Sequence, residues 1–361
     1  MLTSSLRPYL GLLPIDEQWD EIDLEGARAY FDGDRLVKVI TPETADGRSR
    51  GYFEYDVSLP TTERRSVPPH RQGGKSSPLT LARATVHGVR TGFAFHWDQK
   101  RSFVAIMRDA TDWSVFPEDD PRFKDRDGVL AWLEDFVRHA PEDWLTQIEA
   151  QRVRVPKRVR WRGGDVFLIQ ARDVYGFAKR EYRVGRVLLD LGLLSKRSVW
   201  GGRAWDLAVD FWGNMIAQLY PITMTSSEVD LGRLRALSPS VPVAAYERRL
   251  TTGELPIVGS IPVEPREVDF PEFLSQGRFI KGGIAVEVPG ALTSEMTGRF
   301  APGFTSLGRG DGPIPDNDLR SSPELRAPVL AAIGLESTMS YDAMCASLEQ
   351  GPTAAELIAV K

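Results

Sequence analysis

Prolines and glycines punctuate this chain closely enough to limit what it can fold into. With 25 prolines and 32 glycines in 361 residues, long unbroken helices are disfavoured and many short elements joined by turns are expected. Proline removes a backbone donor, and glycine costs more entropy to order than any other residue. A chain of this length exceeds what one core ordinarily organises, so two domains are expected. Hydrophobic residues make up 42% and charged residues 26%, the balance of a packed protein and not a disordered one. The formal charge of −5 implies neither a polycation nor an acidic tail.

The single cysteine, Cys345, excludes an internal disulfide framework and a multi-cysteine metal site, and fits a reducing compartment. Pro14 and the acids Asp16, Glu17 and Asp20 interrupt the opening residues before a leader's apolar core can form. No apolar run reaches the roughly eighteen residues a bilayer span needs. The expectation is a cytoplasmic protein with no membrane contact, its oligomeric state left open.

Residues 1–150 mix strands with a helix. LVKVI (36–40) and GYFEYDVSL (51–59) read as strands, the second alternating aromatic and acidic side chains in the period-two manner of a half-buried strand. Residues 62–78 read as an exposed loop. ARATVHG (82–88) and TGFAFHW (91–97) flank a presumed turn near Gly88 and lead into SFVAIM (102–107), which together suggest a three-stranded meander. In 127–140, Val129, Trp132, Leu133, Phe136 and Val137 form a helical stripe. Asp125 and Asp127 stand near its start, Arg138 and His139 in its last turn, and Pro141 ends it.

The tract RVRVPKRVRWR (152–162) follows, with six basic side chains and no acid. Alternation of Arg152 and Arg154 with valines, and of Arg158 and Arg160 with Val159 and Trp161, suggests an extended segment with one basic face. Beyond it, strands are expected at 165–169, 182–189, 205–213, 241–250 and 255–263. The prolines and Gly259 of the last suit an edge strand. A short helix is expected at 226–237, a loop at 308–319, and two modest helices at 322–335 and 352–360. The fold class expected is α+β: a mixed domain at 1–150, a basic junction at 151–163, a β-rich domain at 164–285, and a loop-rich extension with short helices at 286–361.

Chemistry is sparse. His87 and His96 on neighbouring strands, with Asp98, would suit a metal, although half-solvated strand histidines account for them as well. Glu54 and Asp56 share a strand face, and Asp109, Asp112, Asp119 and Asp120 cluster after another strand. Such carboxylates are the basis of a metal-dependent hydrolase alternative. Cys345 has no adjacent histidine and reads as a small buried hydrophobe. RWRGGD (160–165) is no phosphate loop: its glycines precede a strand, no Lys-Ser or Lys-Thr follows, and Asp165 would repel phosphate. Gly163 and Gly164 read instead as a turn with positive φ, closed by Asp165. The basic tract 152–162, with Trp161, leaves a nucleic-acid-binding alternative open. No cofactor is expected.

GGDVFLIQARD, GRVLL, LAVDFWG, VPVAAYERRL and GELPIVGSIPVEPREVDFPEF occur in an order that resembles the immunity protein 26 family of bacterial polymorphic toxin systems. The resemblance covers about 161–275. Its motif positions are Gly164, Asp165, Val166 and Phe167; Gly185, Arg186 and Val187; and Pro256, Ile257, Val258 and Gly259. Leu255 stands where the family pattern has tryptophan, and FAKREYR (177–183) lengthens one connection. The resemblance implies a mostly β domain that binds and neutralises a protein toxin without turnover. Candidate partner anchors are Trp200, Trp205, Trp212 and Tyr220, with Arg172, Lys179 and Arg180. Trp205 and Trp212 flank a strand and suit a core better than an exposed surface. A two-domain interaction protein with no toxin partner is the further alternative.

Overall fold

The computed structural model describes residues 2–41, 51–69, 74–108, 111–115, 120–153, 158–196, 215–245, 248–292 and 318–360. The fold is α+β, as expected, with antiparallel sheets throughout the described residues. Two compact units emerge. One comprises Met1–Val155 with Arg172–Phe177, the other Pro156–Ala171 with Ala178–Lys361. Among the described residues no helix is long and apolar enough to cross a membrane.

The first unit is built on strands β1 (Asp20–Leu24), β2 (Ala27–Asp32), β3 (Arg35–Thr41), β4 (Gly51–Pro60), β7 (Phe93–Asp98), β8 (Phe103–Arg108) and β9 (Thr111–Val115), adjacent in that order. The short strands β5 (Ser66–Val67) and β6 (Ser77–Pro78) pair separately. Helices are α1 (Leu81–Thr91), α2 (Arg126–His139) and α3 (Trp144–Val153). One sheet face carries Tyr30, Ile40, Tyr52, Phe95, Trp97 and Ile106 against Val129, Trp132, Phe136, Trp144 and Ile148 of α2 and α3. The other carries Phe31, Val39, Tyr55, Val57 and Ala94 against Ala84 of α1. Both faces are covered, so the polar positions of β4 are buried together with its apolar ones.

The helix at α2 is as the sequence indicates: Asp125 accepts the Gly128 amide at 2.8 Å, and Val129, Trp132, Leu133 and Phe136 are buried. Residues 82–88 are helical and do not form a meander strand. Thr80 caps α1 through the Arg83 amide. Gly88 marks a close approach, not a turn, because a Cβ there would lie 2.3 Å from the Tyr55 ring. The start of the basic tract also departs from the expected extended form: Arg152 and Val153 end α3, and Arg152 turns inward to donate to the Gly11 carbonyl at 2.9 Å.

The second unit holds a five-stranded sheet ordered β13 (Val243–Ala245), β12 (Met215–Met224), β11 (Ala178–Asp190), β10 (Asp165–Arg172), β14 (Ile257–Ser260). β14 is an edge strand, with Pro256 and Pro262 lying just outside it on either side. Helix α4 (Leu191–Lys196) follows β11, and α5 (Leu231–Arg235) and α6 (Arg248–Thr251) follow β12 and β13. The sheet's two faces bury different sets: Phe167, Ile169, Val187 and Ala217 on one, Val166, Leu168, Val184 and Tyr220 on the other. The strand expected at 205–213 lies outside the described residues.

Residues 273–287 form a second, three-stranded sheet, β15 (Phe273–Ser275), β16 (Arg278–Lys281) and β17 (Ile284–Glu287). The chain then continues to α7 (Pro323–Ala332), α8 (Tyr341–Leu348) and α9 (Ala354–Ala359). Phe273, Phe279, Ile284, Val329, Tyr341, Met344 and Leu357 share one core with Leu188, Leu191 and Ile216. The C-terminal helices therefore complete this core and are no extension beside it. Helix amphipathicity requires this, since each is too short to be stable alone.

Candidate functional site

The paired carboxylates of β4 lie on one face, as alternation indicates, but the site between them is filled. Lys38 is placed opposite Asp56 by the β3–β4 register, and its Nζ donates to Glu54 Oε1 and Asp56 Oδ1, each at 2.7 Å. Arg7 grips Glu54 through Nε at 2.7 Å and Nη2 at 3.2 Å, and the Tyr52 hydroxyl donates to the same carboxylate. The Leu13 amide donates to Asp56 at 2.7 Å, with Arg152 at 3.6 Å. Burial pushes the Glu54 carboxyl up, but the charges and hydrogen bonds of Lys38 and Arg7 outweigh it and hold it below its usual range. A divalent ion would have to displace the Lys38 ammonium. Glu54 and Asp56, the carboxylates of the hydrolase alternative, are thus engaged by Lys38 and Arg7 in this structure.

The histidines do not converge. His87 is carried by α1, its ring 3.3 Å from the Ser58 carbonyl. His96 on β7 is wedged between Phe53 and Phe103, ring centroids 5.1 and 5.2 Å away, where burial lowers its pKa. Asp98 accepts the Arg101 amide in a hairpin. Asp120 caps a 3₁₀ turn and pairs with Arg122 at 2.7 Å. Asp109, Asp119 and the side chain of Asp112 lie outside the described residues. Among the described residues no group of three His, Cys, Asp or Glu could hold a metal ion. Cys345 is buried beside Pro352, and burial pushes its thiol up.

Of the motif positions, Gly164, Asp165, Gly185, Arg186, Pro256 and Gly259 are brought together by β10, β11 and β14. Gly164, at φ +95°, donates to the Val187 carbonyl and accepts from the Ile261 amide, both at 2.8 Å. Asp165 accepts the Arg162 amide at 2.9 Å, closing the turn. Gly185 leaves room for the Phe167 ring, which a Cβ would meet at 2.5 Å, and Gly259 does the same for Leu231. The Pro256 carbonyl accepts from Leu168 at 3.1 Å. These five positions hold the sheet together.

Arg186 differs from them because it forms the floor of a cleft of about 300 Å³. Its guanidinium takes Glu267 bidentately, Nη1 at 3.0 Å and Nη2 at 2.5 Å, and also donates to the Pro262 carbonyl at 3.2 Å. Tyr220, 3% exposed, lies beneath it at 3.4 Å and is not an exposed anchor. Burial raises the Glu267 carboxyl, but the hydrogen bonds from Arg186 and the Glu264 amide and the nearby arginine charges hold it below its usual range. The walls are Leu234, Leu237, Pro239, Ile261 and Pro262, and the rim carries Arg235, Glu264 and Arg266. Sequence pattern singles out Arg186 and Tyr220 of this set but none of the walls, which come from two separated segments, 234–239 and 261–262.

Of the other expected anchors, Arg172 donates to the Gly176 carbonyl at 2.7 Å. Lys179 and Arg180 are exposed on β11. Trp200, Trp205 and Trp212 lie outside the described residues. In the basic tract, Arg158, Arg160 and Arg162 point outward while Val159 and Trp161 bond to Thr251. Comparison of the chain with family models, with curated proteins and with solved structures gave no match.

Proposed function

We propose that this chain is a non-catalytic immunity-type protein whose second unit binds a protein toxin and neutralises it by occupying its surface. One observation carries the reading. The separated segments of the immunity protein 26 resemblance, 164–167, 185–187 and 256–259, are hydrogen-bonded neighbours in one sheet. Their single long polar side chain, Arg186, floors the cleft. A blocker needs a rigid scaffold with an arginine or aromatic anchor in a concave, partly desolvated place. It needs no poised acid–base pair, and the most buried carboxylates of β4 are committed to Lys38 and Arg7.

The test is co-expression with the polypeptide encoded beside this chain. If that polypeptide arrests growth, the chain should restore growth and co-purify with it at one-to-one stoichiometry. Growth arrest that persists despite stable expression of this chain defeats the reading. The exposed file Arg158, Arg160 and Arg162 favours nucleic-acid binding as a second reading. Binding to single- or double-stranded nucleic acid that appears at low salt and falls steeply with added salt would put that reading first.

A further inference from the structure

The cleft over Arg186 carries a charge pattern that specifies its occupant. Two of its three arginines are already matched: Arg186 by Glu267 at 2.5 Å and Arg266 by Glu264 at 2.7 Å. Arg235, exposed at the end of α5, has no carboxylate partner among the described residues. One positive charge is therefore left at the mouth of a cleft whose walls are Leu234, Leu237, Ile261 and Pro262. Arg186 itself is committed at the floor, where Glu267 and the Pro262 carbonyl take its Nη atoms. Apolar walls and an unmatched cation at the rim complement a group that is acidic beside an apolar side chain.

We propose that the cleft receives an acidic side chain of a partner polypeptide, with the neighbouring apolar residue of that segment lying on the Leu234–Leu237 wall. This rests on the protein-binding role of the second unit. Arg235 supplies the charge that attracts and pairs with the carboxylate. The Arg186–Glu267 pair holds the floor rigid, so little order has to be bought on binding. Glu264 and Glu267 discriminate against ligands of higher negative charge, because each added charge meets a fixed carboxylate.

Calorimetric titration of the full chain with the capped peptide acetyl-Glu-Leu-Asp-Leu-amide, its Gln/Asn isostere and inorganic phosphate tests this. The acidic peptide should bind, weaken with added salt, and exceed its isostere by about tenfold. Arg235→Glu should abolish that preference. Arg233→Glu, on the same helix but outside the cleft lining, should keep it. Equal binding of the isostere, equal loss in both variants, or phosphate binding as well as the peptide would each overturn the proposal. Neutralisation that survives Arg235→Glu removes the cleft from the interface and leaves the immunity reading standing. Peptide binding with no neutralisation does the reverse.

Discussion

Each unit contains an arginine that clasps a glutamate with two hydrogen bonds, Arg7 with Glu54 in the first and Arg186 with Glu267 in the second. The pairs are chemically alike and differently placed. Glu54 is wholly buried and also takes Lys38 and Tyr52, so its capacity as an acceptor is spent inside the fold. The Glu267 side chain keeps 26% of its surface, beside a rim with an unmatched arginine. The difference separates an enclosed ion cluster from the floor of an open cleft, the one proposed above to bind. What decides is not the pair itself but whether its surroundings leave charge and donors unspent.

The largest effect should come from Lys38→Met. That substitution takes the shared cation from two buried carboxylates, leaving Glu54 to Arg7 and Tyr52 and Asp56 to the Leu13 amide, and should cost about 3–5 kcal/mol, read by hydrogen exchange at β3 and β4 and by denaturant titration. A loss below about 1 kcal/mol would mean that the enclosed cluster behaves like a surface pair, and the contrast with Glu267 would collapse. Acid response sharpens the same point. Glu54 is depressed below its ordinary 4.5, so its stabilisation is present above that value and is lost as pH falls through the folded-state value. In Lys38→Met that loss should begin at higher pH.

Gly88→Ala comes next, and its sign is informative. In an unpacked helix the change would stabilise by up to about 1 kcal/mol. Against the Tyr55 ring it should destabilise by about 1–3 kcal/mol. A more stable variant would show that α1 does not press on the sheet as described. The smallest effect should be that of Arg235→Glu on thermal stability, within about 0.5 kcal/mol, because the residue is exposed and has no carboxylate partner among the described residues. A larger drop would make it part of the structure and not of the cleft's function.

Local pattern carried the sequence reading where one element satisfies itself. The α2 stripe, the existence of a strand at β4 and the edge character of β14 were all legible, whereas the burial of both faces of β4 was not. Residues 82–88 were not, because Gly88 was given a turn's role when its reason is a ring on a distant strand. The sheet at 273–287 was hidden by its glycines. Gln276 and Gly277, with φ of +50° and +79°, make the tight turn that two short strands need. The buried cluster draws on residues 7, 38, 54, 56 and 152, and no local periodicity links such positions. Its carboxylates, Glu54 and Asp56, were visible on one strand face, but their partner is a lysine inside the apolar strand LVKVI.

Phe177 is part of the first unit, 4.7 Å from Phe136 and Trp144 and almost fully buried, yet it follows β10, which belongs to the second. The chain thus leaves the first unit, returns for Arg172–Phe177, and leaves again. As a stretch of gene, the first unit has no single boundary. Recombination at 155 would carry off its sheet and helices without the ring that fills their core, so the two units are constrained to be inherited together.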